Sequence, residues 1–258
     1  MTAALATSLA LAGLAAGWGL RAVTARYAVP AGEPHRRSCP GCGHPAASQR
    51  PRFAPRWLSP RSFSPRWFLP RPSGRCPACG QRTGPPPFAV EAITALTLAA
   101  LALRVHPGLV LAAACWLAVC AVPLAFIDAA VRRLPDLLTA PAYAGTGLLL
   151  MAAAAVGGHW HDLLRAGLGG LALAGFCLAV AVVSRGGMGL GDVKVAASLG
   201  TLLAWRGWST LLAGAFAGFL LAAAYGIVLL LAGRATRKQH IPFGPFLIIG
   251  AFAAILAW

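Results

Sequence analysis

Residues 186–200 read GGMGLGDVKVAASLG, with four glycines in the six residues ahead of Asp192 and long runs of alanine, leucine and valine on either side. A carboxylate in such surroundings needs a reason, because an ionisable group at a membrane boundary is costly to keep. A phosphate-binding P-loop would follow its second glycine with Lys and then Ser or Thr, whereas Gly191 is followed by Asp192 and Val193. The dinucleotide fingerprint fails as well, since Asp192 stands where its last glycine belongs. What remains is a flexible or sharply bent entry to a helix, with an aspartate in the first turn. Glycines without side chains there would let another backbone approach closely, as a peptide substrate must. The plain alternative is a glycine hinge packed against a neighbouring helix.

The rest of the chain sets the fold. Its 258 residues are 58% hydrophobic and 11% charged, with a mean hydropathy of +0.71, a balance that suits lipid better than water. Apolar runs at 2–20, 88–103, 109–127, 137–157, 162–183, 192–205, 207–232 and 240–257 predict an all-α polytopic membrane protein with about eight transmembrane helices. The net charge of +16 would point to nucleic acid in a soluble protein, but no nucleic-acid-binding module is recognisable. In a polytopic chain it reports orientation instead. Arg21, Arg26 and the further arginines up to Arg82 lie between the first two spans, which places that loop in the cytosol. Alternation then leaves only Arg104, Arg165 and Arg206 on the outer side, and both termini outside. The first span has no basic residue before it and many after it, the reverse of a cleavable signal, and reads as a retained anchor.

Acids are scarce: Glu33, Glu91, Asp128, Asp136, Asp162 and Asp192. Asp128 closes the third span in AFIDAAVRRLPDLLT, Asp192 opens the sixth, and the loop charges put both at the cytosolic face. Two such carboxylates on one face of a membrane are candidates for a functional site. The competing reading makes each a partner for a nearby base, Arg132 for Asp128 and Lys194 or Arg185 for Asp192. Lys194, two residues after Asp192, points to another helix face and reads as substrate-positioning or topological. Asp136 follows a proline and is expected to cap the fourth helix. Glu91 is expected to be structural, or a site residue for the loop. Asp162 and the flanking His159 and His161 fall in an outer loop, where such a histidine pair is more often incidental than metal-binding.

A second constellation lies in the first loop. Cys39 and Cys42 in CPGC, then Cys76 and Cys79 in CPAC, form two C-x2-C knuckles whose four thiolates suit a structural zinc ion. A reducing cytosolic setting argues against disulfides. Between them runs SQRPRFAPRWLSPRSFSPRWFLPRPSGR, an extended or disordered composition whose arginines and tryptophans suit an anionic lipid surface.

GMGLGDVK together with D-x5-L-P-D, Asp128 to Asp136, resembles the type IV prepilin peptidases, membrane aspartic proteases of the GxGD class. GRC ahead of the second cysteine pair, VE at Val90 and Glu91, and PFGPFL at 242–247 extend the resemblance over most of the chain, apart from residues 43–73. It implies cleavage of the basic leader of type IV pilin or pseudopilin precursors at the cytosolic face of a bacterial cytoplasmic membrane. Asp128 and Asp192 match the catalytic pair, and Gly189, Gly191 and Lys194 fall in the motif. It also implies an N-methyltransferase that uses S-adenosylmethionine on the cysteine loop. The Arg/Pro-rich insert 43–73 departs there from the family's asparagine and leucine pattern, which bears on methylation more than on cleavage. The expected division is an anchor at 1–29, the four-cysteine loop at 30–88 and a peptidase domain at 89–258. A transporter lined by a helix broken at Gly186 to Gly191, or a membrane-anchored zinc-knuckle scaffold, would use the same features differently.

Overall fold

The computed structural model describes residues 2–30, 35–36, 38–44, 75–76, 78–184, 189–233 and 242–257. Their regular structure is helical: α1 (Thr2–Tyr27), α2 (Ala89–Arg104), α3 (Leu109–Val131), α4 (Asp136–Gly157), α5 (Trp160–Val183), α6 (Leu190–Arg206), α7 (Trp208–Leu231) and α8 (Gly244–Ala257). Every expected span is matched by a helix. Five of them, α1, α3, α4, α5 and α7, are long and apolar enough to cross a membrane. At 1.5 Å per residue the 14-residue α8 reaches only about 21 Å, and α2 and α6 are also short. Large apolar side chains such as Leu96, Leu148, Leu171 and Phe216 lie exposed around the bundle. Such a surface belongs in hydrocarbon, where the helical backbone satisfies itself.

Two of the boundaries that differ from expectation bear on the charged residues. α1 runs on to Tyr27, so Arg21 and Arg26 belong to a helix and not to the loop. Arg21 is only 2% exposed and its Nε lies 3.1 Å from Glu91 Oε1 on α2, which makes Glu91 one half of a buried ion pair. The two helices can come this close because Gly17 faces Glu91: a Cβ on Gly17 would sit 2.5 Å from the Glu91 Cα. Small residues at crossings are the usual route to tight packing where lipid supplies no hydrophobic drive. α3 likewise runs to Val131, which leaves Asp128 in its last turn. The helix is then closed by Arg132, a non-glycine residue in the left-handed region (φ 52°), whose N–H donates to the Asp128 carbonyl.

α3 is the most enclosed span and touches α1, α2, α4, α6 and α8. Its Leu117, Leu124 and Ile127 are fully buried, with Leu199 and Leu203 of α6 and Leu247 and Ile255 of α8 in the same interior. α5 packs along α6 and α7 along α8. At the far end of α6, Arg165 of α5 donates from Nε to the Ala204 carbonyl at 2.7 Å and from Nη2 to that of Trp205 at 2.5 Å, meeting orphan acceptors of a helix C-terminus. Asp162 pairs with that arginine at 2.9 Å and so lies away from Asp128 and Asp192. The Arg133 Nη1 donates to the Pro30 carbonyl at 3.2 Å, which ties the segment after α1 to the end of α3 that carries Asp128.

Breaking the buried Arg21–Glu91 pair, by Arg21→Ala or Glu91→Ala, is predicted to cost about 3–5 kcal/mol, because the remaining charge stays buried. The exposed pair between Lys194 and Asp136 is predicted to cost less than about 1 kcal/mol when broken. Thermal unfolding in detergent checks both, and equal losses at the two pairs would contradict the assignment.

Candidate active site and metal centre

Asp128 reaches the site from the last turn of α3, Asp192 from the first turn of α6, and the two are 4% and 5% exposed. Each is met by a backbone amide. The Gly244 N–H, at the start of α8, donates to Asp128 Oδ2 at 3.1 Å, and the Gly189 N–H donates to Asp192 Oδ2 at 3.1 Å. A Cβ built on Gly244 would lie 2.9 Å from Asp128 Oδ2 and 3.2 Å from Asp192 Oδ1, so those oxygens are at most about 6 Å apart. One water can span such a gap with two ordinary hydrogen bonds. Among the described residues Asp192 Oδ1 is buried without a hydrogen bond of ordinary geometry, although the Gly244 amide lies beside it. Among the described residues neither aspartate is in an ion pair. The bases proposed as neutralising partners divide: Lys194 is committed elsewhere, Arg132 makes no ion pair with Asp128, and Arg185 lies outside the described residues.

The glycine-rich entry is half visible, since Gly186 and Gly187 lie outside the described residues. Gly189 precedes α6 and supplies the amide for Asp192. Gly191 gives the loop between α3 and α4 its resting place: a Cβ there would sit 2.7 Å from the Leu134 Cβ. Lys194 does turn away from Asp192, and its Nζ binds Asp136 Oδ1 at 2.6 Å. Asp136 therefore does not cap α4 as expected. It is the first residue of that helix, Pro135 holds the N-cap position without a side-chain cap, and the carboxylate swings outward to the lysine. The Leu134–Gly191 contact and the Asp136–Lys194 pair fasten the segment after Asp128 to the helix of Asp192. His159 pairs with Asp162 at 3.4 Å, and neither it nor His161 joins a metal-capable group among the described residues. The residue that sequence reasoning missed is Gly244. Its signal was present in PFGPFL: a glycine followed by proline at the head of an apolar run leaves one free amide at a helix start.

The four loop cysteines converge. Their Sγ atoms all lie within 4.8 Å of one another, with Cys39–Cys79 and Cys42–Cys76 at 3.6 Å. That is too long for a disulfide, about 2.05 Å, and close to the roughly 3.8 Å edge of a tetrahedron whose sulfurs stand about 2.3 Å from a central ion. The two knuckles share one backbone design. Gly43 N–H returns to the Cys39 carbonyl at 3.0 Å and Gly80 N–H to that of Cys76 at 2.9 Å, with both glycines at positive φ, 68° and 71°. In the second knuckle the Cys79 amide, followed by that of Ala78, holds the Cys76 thiol down at about 6. The Gly41 amide lowers Cys39 in the first. Cys42 has the His44 amide in its favour, yet the surrounding sulfurs, Cys79 foremost, push its thiol up to about 12. Some of these thiolates form readily, but all four cannot ionise together unless a cation takes up their charge. The tetrad can hold a metal ion.

A profile of the type IV leader peptidase family matches residues 111–231, from α3 to the end of α7. Among curated proteins, the prepilin leader peptidase/N-methyltransferase of Aeromonas salmonicida (strain A449) is 34% identical over 227 residues, covering 86% of this chain and 71% of that protein. The protein of the same name from Aeromonas hydrophila is 34% identical over 224 residues, with the same coverage. The Bacillus subtilis (strain 168) protein of that name is 29% identical over 224 residues, covering 86% of this chain and 81% of its own. No solved structure matches the chain. With that identity and coverage the chain belongs to the type IV leader peptidase family.

Proposed function

We propose that the protein is a membrane aspartic endopeptidase that removes the leader peptide from type IV pilin-like precursors, with Asp128 and Asp192 as its catalytic pair. The observation that carries this reading is the convergence of two buried carboxylates, each held by one backbone amide, on a single point beside Gly244. The names of the relatives supply the substrate class. In this mechanism one carboxylate is ionised and takes a proton from a water between them while the water oxygen attacks the scissile carbonyl carbon. The other, neutral, donates a hydrogen bond to the carbonyl oxygen as it becomes negative. Collapse of the tetrahedral intermediate then breaks the C–N bond, and the leaving nitrogen receives a proton from the pair. Gly189 and Gly191 serve by backbone contact, the first holding Asp192 and the second admitting Leu134. Lys194 acts through Asp136, joining the two helix ends that carry the dyad.

Loop charges support a cytosolic site, with both termini outside and the division into anchor (1–29), four-cysteine loop (30–88) and peptidase (89–258). In the loop, Cys39, Cys42, Cys76 and Cys79 hold a structural zinc, the ion best suited to a closed set of four thiolates. S-adenosylmethionine-dependent methylation of the new N-terminus would belong to this loop. Most of the insert at 43–73 lies outside the described residues.

Asp128→Asn and Asp192→Asn are each predicted to lower cleavage of a precursor by roughly 10⁴-fold while the protein still accumulates in the membrane. Asp162→Asn should leave cleavage near normal, and an active Asn variant at either dyad position would end the aspartic reading. Single cysteines at positions 130 and 190, in a background otherwise free of cysteine, should label from the cytosolic side alone. Labelling from opposite faces would rule out a common site. Cys42→Ser or Cys79→Ser should remove most of the zinc measured in the purified protein, weaken cleavage without abolishing it, and eliminate methyl transfer. Full zinc content in either variant would contradict the tetrad.

A further inference from the structure

We propose that Gly244 is the positioning residue of the dyad: its amide fixes Asp128, and the absence of a side chain on it sets how closely Asp128 and Asp192 approach each other. The proposal rests on the reading of those carboxylates as a catalytic pair. It draws first on the hydrogen bonds at the start of α8. Phe246 and Leu247 both send their N–H groups back to the Phe243 carbonyl, at 3.1 and 3.2 Å. Pro245 has none to offer, so the Gly244 amide is left pointing out of the helix, and it takes Asp128 Oδ2. Unsatisfied donors at a helix N-terminus carry partial positive charge. Here that charge faces a carboxylate that has almost no access to water.

The second observation is steric. A methyl group on Gly244 would stand 2.9 Å from Asp128 Oδ2, 3.3 Å from its Cγ and 3.2 Å from Asp192 Oδ1. Something must move, and α8 is poorly placed to do so. It rests on α7 backbone to backbone, since a Cβ on Gly218 would lie 2.9 Å from the Leu247 Cα and one on Gly250 would lie 2.7 Å from the Gly214 carbonyl oxygen. The carboxylates are the parts that can yield, and they would yield by separating. The third observation is the buried Asp192 Oδ1, which has no hydrogen-bond partner among the described residues and faces the same small space. An unsatisfied buried carboxylate oxygen is expensive to maintain. Its place here is understood if a water and then the substrate carbonyl come to that oxygen, in room that Gly244 keeps open.

The test compares three glycines in full-length protein reconstituted in liposomes, assayed with a synthetic precursor peptide bearing a basic leader, a glycine and an apolar helix. Gly244→Ala should lower kcat by roughly 10²-fold, the usual cost of a misplacement near 1 Å, with KM within about twofold and the thermal midpoint unchanged. Gly250→Ala, which strikes the α7 backbone, should lower the midpoint. Gly147→Ala, in open space on α4, should change neither. Turnover of Gly244→Ala within about threefold of the unsubstituted protein overturns the proposal. So does a fall in its thermal midpoint matching that of Gly250→Ala, which would make Gly244 a packing residue. Asp128→Asn in the same assay separates the two levels of the argument. If it is inactive while Gly244→Ala is active, the dyad stands and the role of Gly244 falls; if it is active, the dyad itself falls.

Discussion

Two carboxylates buried together at one end of a helix bundle repel each other when ionised and are poorly solvated in any state, and the arrangement around Asp128 and Asp192 answers that constraint. Neither aspartate is neutralised by a base among the described residues. Each instead receives one backbone amide from a helix start, Gly244 for Asp128 and Gly189 for Asp192. An amide offers a fixed partial charge without a counterion that would lock the carboxylate permanently ionised. The proposed catalytic pair, exchanging a proton within each turnover, would need that kind of partner, whereas a structural ion pair does not. The contrast stands within the same molecule. Arg21 and Glu91, buried to the same degree, meet charge to charge and hold two helices together.

The rest of the fold serves the meeting of three helix ends. α3 delivers Asp128 from the interior, α6 delivers Asp192 and α8 delivers the glycine between them. Crossings lined by glycine, Gly17 against Glu91 and Gly218 against Leu247, hold neighbouring helices at backbone contact where lipid gives no hydrophobic drive. The segment after Asp128 is fastened to the helix of Asp192 by Leu134 on Gly191 and by the Asp136–Lys194 pair. That pair is exposed, so little stability rests on it. Arg133 reaches from the same segment to the Pro30 carbonyl, and Arg36 bridges to the Thr83 carbonyl, so the cysteine head sits at the dyad's end of the bundle.

Much of this was legible in the chain itself because hydropathy and charge act over whole segments. The eight apolar runs matched eight helices, since a run of that length has few other ways to satisfy its backbone in lipid. Asp128 and Asp192 could be paired from loop charges alone, which report the side of the membrane. The two C-x2-C knuckles declared a metal-capable cluster, because four sulfurs at that spacing have few competing uses. What was not legible depends on contact across sequence distance. Asp136 looked like a cap because it follows a proline at a helix start, and nothing local says that Lys194, 58 residues away, draws it outward. Arg21 looked like a loop charge, since a buried arginine is costly unless a partner such as Glu91 is known to face it. Gly244 carries no chemistry of its own, and its importance follows only from what stands about 3 Å away.

The central claim is that Asp128 and Asp192 act as one unit, and residual activity in the doubly substituted protein tests it most directly. Cleavage of a precursor peptide is measured for Asp128→Asn, Asp192→Asn and the two combined, in protein reconstituted at equal amounts with verified folding. Residues that share one proton are not additive, because losing either already removes the function of both. The account predicts that the double variant retains the same trace activity as each single variant, within about threefold. Losses that multiply, with the double variant slower than either single one by the product of their separate effects, would show two independent contributions and contradict the dyad.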